Sequence, residues 1–440
     1  MKEEKRPNII LFLADDMGFS DIGCYGSEIP TPGIDRMAAC GLRYTQMYSN
    51  ARCCPSRASL LTGLYPHQAG VGHMTGNIGI PEYQGYLNEN CLTLAEGLKN
   101  CGYRTGMVGK WHVGGEYGHR EEAGSIEGQE GYPTPLQRGF DRFYGTLEGA
   151  GNYYNPVTLT EDGKWLSVKP SEDFYYTEKI AEKSCEYIRQ FSGGGNPYFL
   201  YVAFNAPHWP LHAREKDIRE REGSYLCGWD EVRRQRYRRQ VEMGLVRDIW
   251  DMSPRDGESP DWDSVEEKDW EDIKMAVYAA QVMEMDRAVG QIMDAVQDTG
   301  EEEDTVFLFL SDNGACAEEL PSDGWVMNFA EDMTLDGRPV AVGNQTRKRP
   351  GGEDTYISYG LPWANVSNTA FRLFKHWIHE GGIASPFVVQ WKKGIREKGV
   401  LRHTPVHFID IFPTLLELAG GRYPDKKGDK TLIPLQGESL

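Results

Sequence analysis

Short apolar runs recur along the chain, and each of them stops at a cluster of polar residues. The four clearest runs are NIILFLA (8–14), RTGMVG (104–109), YFLYVAFNAP (198–207) and TVFLFLS (305–311). Continuous apolar runs of this length are typical of parallel strands that are buried on both faces. Segment 274–298 instead places its apolar side chains roughly on one face of a helix. Strands that alternate with helices predict an α/β layered fold.

Polar residues that could bind a ligand or take part in catalysis follow these runs directly. They are Asp15-Asp16 after the first run, Lys110-Trp111-His112 after the second, His208 after the third and Asp312-Asn313 after the fourth. In open α/β sheets, ligands bind at the carboxyl ends of the strands. The polar clusters therefore fall where such a fold places its ligands.

The length of 440 residues suits one large domain, or one large domain with a small partner. A formal net charge of -19 argues against a protein that grips nucleic acid or an anionic membrane over a broad surface. Any bound anion must therefore be held by a local cluster of basic groups. The nine cysteines are scattered and lack zinc-ligand spacing, so they do not predict a disulfide framework.

Apolar residues near the N-terminus, from Ile9 to Ala14, form a run too short for a signal peptide or a membrane span. We expect a soluble chain of unknown compartment with no visible signal peptide; a periplasmic or secreted location would require a leader missing from this sequence. The charged segments 233–240 and 261–272 favour a solvated helical excursion over nucleic-acid binding. This charged insertion and a second long insertion, 316–370, are both assigned to substrate recognition.

Carboxylates cluster after two of the predicted strands. Asp15, Asp16 and Asp312 supply three carboxylates, and Asn313 supplies an amide oxygen. Either pair alone is more often a turn or a helix cap. Two carboxylates about 4 Å apart repel by roughly 4 kcal/mol at an effective dielectric near 20, so a close cluster favours a bound cation. Ligation by oxygen alone suits Ca²⁺ or Mg²⁺ rather than zinc.

The stretch NARCCPSRASLLTG (50–63) places two cysteines before an apolar turn. Pro55 suits the first position of a helix, which predicts Cys54 as the N-cap and Cys53 as the residue before it. A group at that place faces free amide hydrogens and the positive end of the helix dipole, which favour anions. A packed structural cysteine is the alternative. Arg57 and the oxygen cluster elsewhere favour a functional site.

The pattern Cys53-x-Pro55-Ser56-Arg57, followed by LTG (61–63), resembles the signature of the formylglycine-dependent (type I) sulfatases. These arylsulfatase-like proteins belong to the alkaline phosphatase superfamily. Five further stretches resemble motifs of the family, and along the chain they occur in the family's order. They are ADDMG and SDNGA (metal motifs), GKWHVG (a lysine–histidine motif), APHWPLHA (a substrate histidine) and KHWIHEGGIASP (a lysine).

The resemblance implies a role for residues of each motif in one active site. The implied metal ligands are Asp15, Asp16, Cys53, Asp312 and Asn313, and the implied catalytic residues are Cys53, Arg57, Lys110, His112, His208 and Lys375. The implied cofactors are one divalent cation, for which we expect Ca²⁺ with Mg²⁺ as the alternative, and a formylglycine made from Cys53 by a maturation enzyme. Tyr153, Tyr154 and Asn155 suit a sugar pocket but are more often loop packing, and are left out of the site.

The fold implied by the resemblance is α/β and alkaline-phosphatase-like, with a mostly parallel or mixed central sheet flanked by helices. We expect a sulfatase catalytic domain over 1–420. We expect 421–440 to be the start of a truncated C-terminal subdomain, a small unit of antiparallel sheet and helix that is largely missing here.

The implied reaction is hydrolysis of a sulfate ester, of a carbohydrate or an aryl alcohol, through a metal-bound diol of formylglycine 53 that attacks sulfur in line. Arg57, Lys110 and Lys375 balance charge on the sulfate oxygens. His208, with Lys375, protonates the leaving alcohol. His112 accepts the proton of the second diol hydroxyl, and sulfate is then expelled as the aldehyde re-forms.

Two other functions remain open on the sequence alone. One is a phosphonate or phosphate ester hydrolase of the same superfamily. The other is a catalytically silent binder of sulfated glycans. The expected partners are a small-molecule or glycan sulfate ester and the maturation enzyme, with no nucleic acid and no membrane span.

Overall fold

The computed structural model describes residues 6–117 and 132–440. Within them, the central element is an eleven-stranded mixed sheet. Its strands in chain order are β1 (Asn8–Ala14), β2 (Leu42–Tyr48), β3 (Arg104–Gly109), β4 (Arg142–Thr146), β5 (Leu159–Glu161), β6 (Lys164–Trp165), β7 (Tyr198–Ala203), β8 (Thr305–Ser311), β11 (Ala384–Gln390), β12 (Val400–Arg402) and β13 (Val406–His407). Two small ladders lie apart from it. They pair β9 (Ala341–Val342) with β10 (Thr355–Tyr356), and β14 (Lys426–Lys427) with β15 (Lys430–Thr431).

The middle of the sheet is parallel, in the order β8, β1, β7, β3, β4. Strand β11 runs antiparallel to both β8 and β2. The four predicted strands are confirmed, and three of them have the bounds of their apolar runs. Strand β7 ends at Ala203, before the end of its apolar run, because the chain turns there and the Phe204 N–H donates to the Leu13 carbonyl. Parallel strands buried on both faces explain why the apolar runs are continuous.

Helices cover both faces of the sheet. They are α1 (Pro32–Ala39), α2 (Cys53–Thr62), α3 (Leu94–Asn100), α4 (Tyr176–Phe191), α5 (Glu215–Arg221), α6 (Trp229–Glu242), α7 (Lys268–Asp298), α8 (Leu361–Ser367), α9 (Glu380–Ile383) and α10 (Ile411–Leu418). Strand β1 shows the two layers, because its side chains alternate between them. Ile10 and Phe12 join the apolar cluster that contains α1, α4 and α7, whereas Leu11 joins that of α2, α3 and α10. The predicted α/β layered fold is therefore confirmed.

Two predicted features differ from the structure. Helix α7 begins at Lys268, upstream of the predicted segment. The charged segment 233–240 lies in α6 as expected, but its arginines are not all solvated, since Arg236 is fully buried. Its guanidinium donates to Asp21 at 2.5 Å and to Glu28 at 2.8 Å. These carboxylates compensate the charge, and a pattern within one helix cannot show such distant partners.

The C-terminal residues 421–440 contain the β14–β15 ladder. Leu432 joins the apolar cluster of α2 and α10, and the Gln436 N–H donates to the Gly63 carbonyl at the end of α2. These residues therefore pack directly on the helical layer that carries Cys53.

Candidate active site

The candidate site lies at the carboxyl edge of the parallel strands. Asp15 and Asp16 follow β1, and Asp312 follows its neighbour β8. Lys110 follows β3, and His208 lies in the turn after β7. Because the carboxyl ends of parallel strands meet at one edge, residues from four distant parts of the sequence converge there.

Helix α2 brings Cys53 to this edge. The predicted helix start at Pro55 is wrong: the helix begins at Cys53, and its N-cap is Arg52. Arg52 has extended backbone, and its carbonyl accepts from the Ser56 N–H at 2.9 Å. Proline lacks an N–H and is tolerated throughout the first helical turn, where N–H groups have no partner within the helix. The Cys53 thiol donates to Asp16 Oδ1 at 3.6 Å.

The two adjacent cysteines have different surroundings. Cys53 is 1% exposed, and it lines the main cavity of the site. Cys54 is fully buried and belongs to the apolar cluster behind the helix. Burial raises the pKa of both thiols. Only Cys53 is therefore placed where a substrate can meet it.

Three basic side chains pair with the three carboxylates. Lys110 Nζ donates to Asp15 Oδ2 at 2.5 Å, and Lys375 Nζ donates to Asp16 Oδ2 at 2.8 Å. The third pair joins Arg57 to Asp312: Arg57 Nε and Nη2 donate to Asp312 Oδ2 at 3.1 and 2.9 Å. All six side chains are buried, and their formal charges cancel. Such pairs are what permit buried charges.

The fixed ammonium groups set the ionisation of these carboxyl groups. Burial opposes ionisation of Asp15, but the positive charge of Lys110 holds its pKa well below the ordinary value. Burial also opposes ionisation of Asp16, and Lys375 lowers its pKa in the same way. Burial and the nearby Asp15 charge raise the pKa of Asp312. The carboxylates therefore repel one another, and a cation would relieve that repulsion.

The donor atoms present fit a divalent cation. One ligand atom from each of Asp15, Asp16, Cys53 and His208 lies within 4.8 Å of the others. Two buried oxygens, Asp15 Oδ1 and Asn313 Oδ1, have no hydrogen-bond partner. Buried oxygens without partners are costly unless a bound group satisfies them, and carboxylate and amide oxygens suit Ca²⁺ or Mg²⁺.

Asp312 and Asn313 border this cluster. Asp312 Oδ1 accepts from the Asp16 N–H at 3.2 Å, and Asn313 Nδ2 donates to Asp16 Oδ1 at 2.7 Å. The structure thus brings together the five metal ligands implied by the sequence, Asp15, Asp16, Cys53, Asp312 and Asn313. Their role as ligands stays a prediction.

Backbone strain concentrates at this site. Asp16, Ala51 and His112 have positive φ values of 61, 58 and 55°, in the left-handed region that non-glycine residues rarely adopt. Each lies in or beside a motif singled out from the sequence. Strained conformations persist where the surrounding structure over-determines them, which is common at functional sites.

His208 faces both Asp16 and Lys375. Its Nδ1 lies 2.6 Å from the Trp209 carbonyl, an acceptor, so the proton of the neutral ring belongs on Nδ1. Its Nε2 lies 3.2 Å from Asp16 Oδ2 and 3.5 Å from Lys375 Nζ. Burial lowers the pKa of His208, although Asp16 opposes this shift. Nε2 of the neutral ring can therefore accept from Lys375.

Two residues that the sequence did not assign to the site hold the His208 turn. The Tyr153 hydroxyl lies 2.8 Å from the His208 carbonyl, and Gln281 Nε2 donates to the same carbonyl at 3.4 Å. Tyr153 was expected to be loop packing. No sequence signal marks this role, because Tyr153 reaches across a separation of 55 residues.

His112 lies against a glycine. A Cβ on Gly149 would be 2.6 Å from Cε1 and Nε2 of the His112 ring. Burial and the charge of Lys110 lower the pKa of His112 well below the ordinary value, so the ring is neutral. Its Nδ1 has no hydrogen-bond partner. His112 lines the same cavity as Cys53.

Arg57 and Lys110 lie behind the carboxylates that they bind. Both are fully buried, and neither lines the cavity. Besides its bonds to Asp312, Arg57 donates through Nη1 to the Lys110 carbonyl at 3.0 Å. Arg57 and Lys110 therefore bind the carboxylates of Asp312 and Asp15 without lining the cavity. Direct contact with a sulfate oxygen stays a prediction for both.

The cavity in front of Cys53 has a volume of about 910 Å³. His112, His208 and Lys375 lie in its wall beside Cys53. Trp325 and Phe329 contribute from the long insertion 316–370. The site thus combines a buried nucleophile position, basic groups and room for a sizeable ligand. Separately, none of the helices within 6–117 and 132–440 has both the length and the apolar character needed to cross a membrane.

Comparison with known proteins gives a consistent result. A family model described as Sulfatase matches residues 7–421. An uncharacterised sulfatase of Schizosaccharomyces pombe is 33% identical over 459 residues, which cover 98% of this chain and 78% of the relative. An arylsulfatase of Klebsiella aerogenes is 32% identical over 455 residues, which cover 100% of this chain and 92% of the relative.

A solved structure shares the fold. The crystal structure of Ps i-CgsB in complex with k-i-k-neocarrahexaose aligns with a TM-score of 0.63 at 24% identity, over 96% of this chain and 73% of that one. The family model spans most of the sequence, and both relatives are more than 30% identical over nearly all of it. The chain therefore belongs to the sulfatase family and is a hydrolase of sulfate esters.

Proposed function

We propose that the protein hydrolyses sulfate esters of carbohydrates or aryl alcohols through a formylglycine at position 53 beside a divalent cation, Ca²⁺ in preference to Mg²⁺. The observation that carries the proposal is the position of Cys53. It opens helix α2, contacts Asp16 and lines the cavity together with His208 and Lys375. A formylglycine-generating maturation enzyme is the partner that this chemistry requires.

Formylglycine supplies the nucleophilic hydroxyl, and the cation supplies Lewis-acid activation and charge stabilisation. The oxygens of Asp15, Asp16, Asp312 and Asn313 would hold the cation next to position 53. Asp15 Oδ1, which lies 3.6 Å from the Arg57 guanidinium, and Asn313 Oδ1 both lack a hydrogen-bond partner, which supports this assignment. Arg57 and Lys110 keep Asp312 and Asp15 in place through the bonds described above.

Lys375 and His208 serve the leaving alcohol. Lys375 Nζ lies within hydrogen-bond reach of His208 Nε2, and both side chains line the cavity. A proton held between these two atoms can pass to an alkoxide that leaves on their side of the sulfate. Lys375 also provides the positive charge that faces anionic sulfate oxygens.

His112 serves the opposite proton transfer. Its ring is neutral and buried, and its Nδ1 has no partner. A neutral imidazole accepts a proton, so His112 is suited to act as the base that completes sulfate release.

The direct experiment compares two adjacent cysteines in protein from a host with the maturation system. Mass spectrometry of the peptide that carries position 53 should show an aldehyde, and an aryl sulfate should be cleaved. Cys53→Ala should abolish turnover, whereas the matched control Cys54→Ala should keep most of it, because Cys54 faces the apolar core. Equal loss in two folded variants would show that the nucleophile is wrongly assigned.

The competing hydrolase activity is tested with the same protein. Phosphonate or phosphate esters present a similar tetrahedral anion, and the basic groups of the site can bind either. Matched aryl sulfate and aryl phosphate esters separate the two activities. Faster cleavage of the phosphate by aldehyde-bearing protein would overturn the proposal. Glycan binding without sulfate release from the same protein would indicate a silent binder.

A further inference from the structure

The wall of the Cys53 cavity is rich in carboxylates. Glu116, Glu148, Glu318 and Glu331 all line it. Among the lining residues within the described parts of the chain, Arg52 and Lys375 are the lysines and arginines. Lys375 is already paired with Asp16 at 2.8 Å. Beyond the sulfate position, the cavity therefore presents more negative than positive charge.

Two of these carboxylates have evident structural roles. Glu148 Oε1 accepts from the Tyr117 N–H at 3.0 Å. Glu318 Oε2 accepts from Trp209 Nε1 at 2.8 Å and thereby holds the residue next to His208.

Glu116 and Glu331 are different. In the part of the chain that the structure describes, neither forms an ion pair or a hydrogen bond. Glu116 is exposed, and Glu331 is partly exposed in the insertion 316–370. Both carboxylates are therefore available to a ligand.

A third polar group points to the same kind of ligand. Asn205 is 5% exposed and lines the cavity, yet its Oδ1 has no hydrogen-bond partner. A buried acceptor without a partner costs free energy, which a donor on the ligand would recover. Hydroxyl and ammonium groups are such donors.

Aromatic rings contribute to the wall of the same cavity. The Trp209 ring lies 5.8 Å from the rings of both Trp325 and Phe329, and all three line the cavity. The faces and edges of aromatic rings accommodate apolar carbon, and their faces attract cations. Aromatic rings beside carboxylates and a free acceptor suit a donor-bearing organic group and disfavour an anionic one.

We propose that this cavity selects sulfate esters whose alcohol carries no second anionic group, with amine-bearing alcohols preferred over neutral ones, and that Glu116 and Glu331 determine this selectivity. The inference rests on the proposed sulfatase function and defines its substrate class. A carboxylate or second sulfate on the alcohol would be repelled by the two glutamates. An ammonium group would be attracted to them and would find the Asn205 acceptor and the aromatic rings.

The test uses three aryl sulfates of similar size: tyramine O-sulfate (cationic), the sulfate of 4-hydroxybenzamide (neutral) and the sulfate of 4-hydroxybenzoate (anionic). Values of kcat/KM are measured for the aldehyde-bearing wild type and for Glu116→Gln, Glu331→Gln and the double variant. For each ester, kcat/KM of the variant is divided by kcat/KM of the wild type, so the intrinsic reactivity of the phenols cancels. Glu303→Gln is the matched control, because Glu303 is exposed and precedes β8 at the opposite edge of the sheet.

In each single variant, we expect kcat/KM for the anionic ester, divided by kcat/KM for the cationic ester, to rise by roughly three- to tenfold over the wild type. This is the size of effect expected when one nearby charge is removed. The neutral ester should change by less than about twofold. The effect should shrink at high ionic strength, because exposed charges are screened. Glu303→Gln should leave all three ratios unchanged. Equal ratios for the three esters in both site variants would overturn the proposal.

A binding measurement separates this proposal from the sulfatase function. Calorimetric Kd values for the three esters are obtained with Cys53→Ala protein, with and without Glu331→Gln. Absence of turnover of every ester by aldehyde-bearing wild type would reject the proposed function. The order of the three Kd values would still decide the selectivity: weakest binding of the anionic ester, relieved by Glu331→Gln, supports it, and any other order contradicts it.

Discussion

The Tyr153 hydroxyl lies 2.8 Å from the His208 carbonyl oxygen and 2.9 Å from that of Asn205. It therefore ties a loop after β4 to both ends of the turn that presents His208. We expect Tyr153→Phe to lower kcat by roughly tenfold, because two buried carbonyls lose a donor and the turn loosens. Steady-state kinetics on an aryl sulfate measure this effect. Tyr154→Phe is the control, since the Tyr154 hydroxyl contacts Ala213 and Gly351 instead. Equal losses in the two variants would contradict a role for Tyr153 in placing His208.

Gly149 leaves no room for a side chain beside His112. We expect Gly149→Ala to displace the His112 ring and to lower kcat by roughly ten- to a hundredfold with a smaller effect on KM, because misplaced proton-transfer groups lose most of their contribution. Gly151→Ala is a matched control in the same cavity wall, where an added Cβ meets nothing within 4 Å. Wild-type kcat in Gly149→Ala would show that His112 can be moved without consequence.

Removal of divalent cations should silence the enzyme reversibly. We expect excess EDTA to abolish turnover and to lower the melting temperature, because the buried carboxylates of Asp15, Asp16 and Asp312 would lose the charge that relieves their repulsion. Titration with Ca²⁺ or Mg²⁺ after chelation should restore both, and the ion effective at the lower concentration is the preferred one. Full activity in excess EDTA would remove the cation from the mechanism.

The buried guanidinium of Arg236 is expected to be essential for stability. Arg236→Met removes the cationic partner of the buried Asp21 carboxylate and leaves Glu28 with Arg239 alone, at 3.4 Å, so we expect the free energy of unfolding to fall by about 3–5 kcal/mol. Urea denaturation measures the change. Arg234→Met on the same helix is the control, because Arg234 is 57% exposed and pairs with Glu231 on the surface. A similar small change in both variants would refute this expectation.

Glu284 on α7 predicts a pH dependence of stability. Its Oε1 accepts from the Arg214 N–H at 2.8 Å, while Oε2 has no partner. Burial, with help from nearby Asp217, raises the pKa of Glu284 from 4.5 to about 8. Protonated Glu284 therefore stabilises the fold: the contribution is complete below about pH 4.5 and is lost as pH rises through about 8.

We expect Glu284→Gln to abolish the fall in stability that occurs in the wild type as pH rises through about 8. Its melting temperature should exceed that of the wild type by several degrees at pH 9, and the difference should shrink toward pH 5. Glu220→Gln, at an exposed position of α5, should show no such trend. A pH-independent difference for Glu284→Gln would mean that Glu284 is ionised throughout this range or that its charge is compensated.

The strands were predictable from local sequence, and the fine geometry of the site was not. Strand β1 is buried on both faces, so its seven residues are apolar apart from the first, and the run marks its bounds. The start of α2 depends on the extended backbone of Arg52, for which the sequence carries no signal. Hydrophobic periodicity describes which face of an element is covered; it carries no information about the partner of one polar atom.

Long-range contacts account for the other differences. The burial of Arg236 is explained by Asp21, which lies 215 residues earlier, and the role of Tyr153 by a carbonyl on a different strand connection. The matched motifs assign Cys53 and Lys375 to one site, and both residues line the same cavity. The same motifs did not show that Arg57 is fully buried and bonded to Asp312, because that arrangement depends on the position of the Asp312 carboxylate.

Lys375 donates to Asp16 and also lines the cavity, so one ammonium group serves two neighbours. A cation that engages Asp16 weakens the hold of this carboxylate on Lys375 and leaves the ammonium group freer to bind an anion. An anion that attracts Lys375 in turn leaves Asp16 freer for the cation. Thermodynamic linkage makes these two effects equal, so a cation and an anion would bind with positive heterotropic cooperativity. A bound sulfate ester would then raise the affinity of the site for a cation.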